Sequence, residues 1–292
     1  MSLWVDALGA SVTYYDAGGV RTRALEAGDG ETVLFLHGIG GHVEAFIKNI
    51  VPLSDRYRAV AIDMIGHGLT GKPDGDYLIP DYVRHLGDVL DALKCEKAHI
   101  VGESLGGWVA FWYAREHPER VASYISCVGS GLKVDDFELL QSAGVNALRQ
   151  RSVAAAAAPT RESIRQRLAW LFHDPDRFVS EELVDTRLFF WSQPDMIRVQ
   201  PSMMNLLDPE LGSRYYITPE HLQAFRVPSY FLWTEFNPTI PWQTAKRAAE
   251  LVPGARFDCI PGCGHWPQYE DPDTFHSLLR SWLTSVPVAA KA

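Results

Sequence analysis

The 292-residue sequence holds no run approaching the roughly 18 consecutive apolar residues of a membrane-spanning helix, which sets aside a helical membrane protein. Nor is there a block of lysine and arginine. Twenty-seven basic residues against 36 acidic ones leave a net charge of −9, a poor match for the phosphate backbone of DNA or RNA. Cysteine is scarce, with four residues and no C-x-x-C pair. A chain of this length does not need disulfide staples, so free thiols are expected. Cys259, Cys263 and His265 lack the second ligand pair that a zinc site would require, and no metal is expected. The opening segment MSLWVDALGA has neither a basic stretch nor an apolar core, so a cytoplasmic location is expected.

What is present is an ordinary globular composition, 47% hydrophobic and 22% charged. The length suits one large domain, or one domain carrying a substantial insertion. Short runs rich in β-branched residues at 32–36, 57–63, 98–101 and 121–128 read as buried strands. Between them, 43–51, 82–93 and 105–117 carry helical apolar spacing, and this alternation implies right-handed crossovers and a mostly parallel sheet. Ahead of them, Gly18-Gly19 separates 11–17 from 20–26, a hairpin signal at the sheet edge. From Leu132 to about His221 the strand pattern stops, and helices are expected at 137–151, 161–172 and 180–191. The rhythm returns with strands at 229–233 and 255–260 and helices at 242–251 and 273–283, before a frayed tail at 286–292. The expected organisation is a core of residues 1–131 and 222–292 with a helical lid at 132–221.

The sharpest motif is Gly102-Glu103-Ser104-Leu105-Gly106-Gly107, directly after one strand and directly before a helix. A G-x-S-x-G elbow needs small neighbours because its serine sits at a strained strand-to-helix turn that lifts the hydroxyl above the sheet. His37-Gly38-Ile39-Gly40-Gly41 follows the strand at 32–36, where glycines let backbone N–H groups approach a developing oxyanion. The amides of Ile39 and Leu105 are the expected donors. A phosphate-binding reading of this loop fails, since no G-x-G-x-x-G fingerprint or P-loop lysine is present. Of ten histidines, His265 has the setting of a general base, in the loop Gly262-Cys263-Gly264-His265-Trp266-Pro267 after the last strand.

These motifs, in order from 33 to 282, resemble the α/β-hydrolase superfamily. The resemblance implies an α/β fold with a mostly parallel eight-stranded sheet and an inserted helical lid. Gly264-His265-Trp266-Pro267-Gln268-Tyr269-Glu270 resembles the C-terminal signature of meta-cleavage-product hydrolases. Those serine-type enzymes cut a carbon–carbon bond in 2-hydroxy-6-oxo-hexa-2,4-dienoates, the ring-fission products of aromatic catabolism. Ser180 to Arg187 resembles the family's lid helix, whose arginine engages the dienoate carboxylate. The resemblance thus implies Ser104 as nucleophile, His265 as base, Arg187 as carboxylate clamp, no cofactor, a small-molecule substrate and a homodimer or larger homo-oligomer. Phe189, Phe190, Trp191 and Trp266 are candidates to line an apolar pocket for the C6 substituent, with lid packing as the alternative for each.

Two positions depart from the family. It usually has asparagine before the nucleophile, where this chain has Glu103, and an aspartate before a proline after the strand at 229–233, where it has Asn237. Asparagine orients a histidine ring but cannot neutralise an imidazolium. Glu235, or Asp135 and Asp136 at the lid start, are the alternative carboxylates. A carboxylesterase or lactonase using the same serine and histidine is the first rival function, and a non-catalytic binding protein the second.

Overall fold

Gly18 and Gly19, with φ of 60° and 85°, make the reversal between β1 (Ser11–Ala17) and β2 (Val20–Ala27). Two consecutive positive φ values give the turn whose twist matches antiparallel strands. The computed structural model, which describes residues 2–288, continues with β3 (Glu31–Leu36), β4 (Tyr57–Ile62), β5 (Ala98–Glu103) and β6 (Val121–Cys127). Helices Ile47–Leu53, Ile79–Ala92 and Leu105–Glu116 separate them. A long excursion then opens with the two-residue strands β7 (Lys133–Val134) and β8 (Phe137–Glu138). It passes through helices that include Ala143–Ala157, Arg161–Ala169, Glu181–Trp191 and Pro194–Met203. The chain returns as β9 (Ser229–Thr234) and β10 (Arg256–Ile260), and ends in helix Pro272–Ser285.

The order β1-β2-β4-β3-β5-β6-β9-β10 forms one eight-stranded sheet. β2 pairs antiparallel with both β1 and β4, and the remaining neighbours are parallel. Every residue of β5, β6 and β9 is buried, as expected for central strands covered on both faces. That burial explains their near-continuous apolar runs.

The excursion differs from expectation at its start. A single helix at 137–151 is replaced by the β7–β8 hairpin, a short 3₁₀ turn and a helix that begins only at Ala143. Ser142 stops the helix extending backwards, since its hydroxyl accepts the Val145 N–H as an N-cap. A lone parallel bridge, Leu132 to Ile217, ties the two ends of the excursion together. Among the described residues no helix is long and apolar enough to cross a membrane. Residues 289–292 of the tail lie outside the described part.

Candidate active site

Ser104 has φ 52° and ψ −114°, a backbone conformation that residues with a Cβ rarely adopt. The turn around it closes only because its neighbours are glycine. A Cβ on Gly102 would enter the Gly106–Gly107 backbone, and one on Gly106 would strike the Leu36 carbonyl. The hydroxyl is thereby held at the start of helix Leu105–Glu116, with Ser104 only 4% exposed. Its hydrogen-bond partner here is the Ser130 hydroxyl, at 3.2 Å.

His265 is fixed by its own loop. Its N–H donates to the Leu171 carbonyl at 2.6 Å. The buried Glu270 carboxylate accepts from the amides of Gly264 at 3.0 Å, Trp266 at 3.1 Å and His173 at 3.0 Å, buckling the loop to the segment after helix Arg161–Ala169. Burial raises the Glu270 pKa, opposed by these backbone donors. Nδ1 of His265 lies 2.6 Å from Asn237 Oδ1. The Asn237 amide nitrogen donates to the Ile240 carbonyl at 2.9 Å, so Oδ1 faces the ring and the histidine proton belongs on Nδ1.

The alternative carboxylates lie elsewhere. Glu235 is exposed and accepts the Gly262 N–H at 3.2 Å. Asp135 is engaged by Arg247, and Asp136 is exposed. The carboxylate that does stand beside the ring is the one before the nucleophile, where the chain departs from the family pattern. Glu103 is 1% exposed, with Oε2 accepting the Gly38 N–H at 2.5 Å and Oε1 at 3.2 Å from His265 Nε2.

Two spaces meet at Ser104. The first is bounded by Glu103, His265, Trp266, Arg167 and Arg187. The second is bounded mainly by Leu105, Trp108, Leu139, Val145 and Leu206. Ile39, Ser104 and Leu148 border both. Both arginines are buried and each keeps one guanidinium nitrogen without a hydrogen-bond partner among the described residues, Nη1 of Arg167 and Nη2 of Arg187. Burial depresses the pKa of each, to about 10 for Arg167 and about 9 for Arg187, where the neighbouring Arg167 charge adds to the effect. Two incompletely paired cations side by side favour an anion between them.

Arg187 is aimed by a chain of buried groups. Its Nε donates to His42 Nε2 at 3.1 Å, and His42 Nδ1 lies 2.7 Å from Glu44. Glu44 is in turn paired with Arg23 at 2.8 Å. The Arg187 guanidinium also lies 5.5 Å over the Trp266 ring. Arg167 donates to Ser152 at 3.1 Å and to the Ile39 carbonyl at 2.9 Å.

The three lid aromatics considered for the pocket do not border either space. Phe189 is 56% exposed, and Phe190 packs 4.7 Å from the His42 ring. Trp191 donates to the Gly40 carbonyl at 3.0 Å, bracing the loop from behind. Residues 189–191 are consecutive on a helix, so they point in three directions. Arg167 carries no motif of its own in the sequence; the one signal for it is its place beside Ile164, Leu168 and Leu171, whose spacing marks the buried face.

The alpha/beta hydrolase fold profile matches residues 31–272. A 2-hydroxy-6-oxo-6-(2'-aminophenyl)hexa-2,4-dienoic acid hydrolase of Metapseudomonas resinovorans is 29% identical over 276 residues, covering 93% of this chain and 90% of that protein. A 2-hydroxy-6-oxo-6-phenylhexa-2,4-dienoate hydrolase of Comamonas testosteroni is 28% identical, covering 88% of this chain and 89% of its own. Among solved structures, a meta-cleavage product hydrolase from Pseudomonas fluorescens IP01 superposes with a TM-score of 0.81 at 28% identity, over 96% of this chain and 100% of that one.

Proposed function

The chain belongs to the alpha/beta hydrolase fold family, and from that premise we propose that it hydrolyses a carbon–carbon bond in a 2-hydroxy-6-oxo-hexa-2,4-dienoate. The observation that carries this reading is the cavity divided at Ser104, with two buried guanidinium groups on one side and mostly apolar side chains on the other. A dienoate with a carboxylate at one end and an apolar substituent on C6 has that polarity. Its cleavage point then lies at the serine. Residues 1–131 and 222–292 form the catalytic core in this reading, and 132–221 a lid that supplies both arginines.

The chemistry follows from the placement. Arg187, assisted by Arg167, holds the carboxylate and so sets the register. The dienol is first ketonised at C5. Ser104 then attacks the C6 carbonyl as His265 takes its proton, while the Ile39 and Leu105 amides hold the oxyanion. Electron withdrawal into the keto form makes carbon a tolerable leaving group. The acyl group left on Ser104 is released by water.

Competing substrates test this. A 6-phenyl dienoate, followed by loss of its visible absorbance, should be turned over with a kcat/KM well above that for p-nitrophenyl esters. A preference for the esters would move the protein to the carboxylesterases. No turnover of either would leave a binding protein.

A further inference from the structure

We propose that Glu103 is the carboxylate partner of His265, doing from the Nε2 side of the ring what an aspartate at position 237 would do from the Nδ1 side. The inference rests on the serine-hydrolase reading and concerns how that serine is activated.

Position 237 holds an amide, which fixes the ring by accepting from Nδ1 at 2.6 Å but brings no negative charge. With the proton on Nδ1, the facing atoms Nε2 and Glu103 Oε1, 3.2 Å apart, are both acceptors unless one further proton lies between them. Oε1 has no other hydrogen-bond partner among the described residues. Glu103 is held in this position by backbone geometry, since Oε2 accepts the Gly38 N–H and a Cβ at Gly38 would collide with the carboxylate. A buried carboxylate with one oxygen tethered and the other aimed at Nε2 is built for that nitrogen.

In the reactive state the shared proton is absent, leaving a carboxylate and a neutral imidazole. Nε2 takes the Ser104 hydroxyl proton as Oγ bonds to the carbonyl carbon and the C=O electron pair moves onto oxygen. The new imidazolium Nε2–H then lies beside the Glu103 anion, which stabilises it until the C5–C6 bond breaks, its electron pair moves onto the C2 oxygen, and the proton passes to that dienolate oxygen. Other charged or titratable groups facing this pair are Arg167 and Arg187 from the lid, Glu270 from the histidine loop and Cys127 at the end of β6.

The test reads serine activation without the natural substrate. Phosphonylation of Ser104 by a fluorophosphonate is timed against pH for the native protein, E103Q, N237D and E103Q/N237D. Glutamine preserves shape and the Gly38 contact, so E103Q should keep its melting temperature. It should react about 10²-fold more slowly, with the acidic limb of the profile displaced to lower pH. Aspartate at 237 should restore at least about tenfold of that rate in the E103Q background by returning a charge to the ring. E103Q reacting at the native rate with an unmoved limb would overturn the inference. So would a slow E103Q that N237D leaves unrescued, because Glu103 would then only prop the Gly38 loop. Failure of Ser104 to label at all would remove both the nucleophile and this role. If labelling depends on Glu103 but the dienoate is not consumed, the carbon–carbon reading falls and the Glu103 assignment stands.

Discussion

Removing the Arg187 guanidinium should raise KM for a dienoate carboxylate far more than for a neutral ester. A charge-assisted contact of this kind is worth about 1.5–3 kcal/mol, which is roughly a ten- to hundredfold effect. Arg167→Ala should act in the same direction and in addition loosen the Ile39 carbonyl it holds, so kcat should fall along with affinity. Steady-state kinetics on both substrate types check both variants, and equal effects on dienoate and ester would exclude a carboxylate clamp. Ser104→Ala should abolish turnover, on the order of 10⁶-fold for a serine nucleophile, while leaving dienoate binding measurable by absorbance. At this scale the sequence reveals Ser104 and His265 because each sits inside glycines that only a special backbone requires. Arg167 and Glu103 have no such frame. A buried charge on a lid helix reads from sequence like a surface charge, and a carboxylate beside a distant histidine is visible only once β5 and the loop after β10 are brought together.

At the level of elements, the histidine loop depends on one side chain. Glu270 serves three amides, those of Gly264, Trp266 and His173, that have no other acceptor among the described residues. Glu270→Ala should destabilise the protein by about 1–3 kcal/mol per strongly buried donor left unpaired, partly recovered by water. It should also lower kcat by letting His265 wander. A guanidinium chloride midpoint and a kcat measured on the same preparation check this, and an unchanged midpoint would show that the loop does not lean on Glu270. The Gln268-Tyr269-Glu270 run was legible as a signature, but its physical task was not. The sheet strands were legible to within two residues at either end, since short apolar β-branched runs have few other readings. The lid start was not, because Phe137 and Leu139 fit helical spacing until Ser142 is recognised as the cap that begins the helix.

For the whole molecule, buried histidines set the acid limit of stability. Burial holds His37 down at about 3, and His85 and His276 at about 4, against about 6.5 in an unfolded chain. Below pH about 6.5 the unfolded state therefore binds protons that the folded state refuses, and stability is lost as pH falls towards about 4. Glu270, with its pKa raised by burial, opposes this weakly. Chemical denaturation midpoints should be level between pH about 6.5 and about 8 and decline steadily below that range; a level profile down to pH about 4 would mean these rings are not held neutral. The proposed cleavage at Ser104, between the two halves of the cavity, is tested most directly by the products. In H₂¹⁸O the protein should convert 6-phenyl dienoate into 2-hydroxypenta-2,4-dienoate and benzoate carrying one ¹⁸O, as hydrolysis of an acyl-serine requires. An intact dienoate skeleton after loss of colour, or benzoate without label, would contradict it.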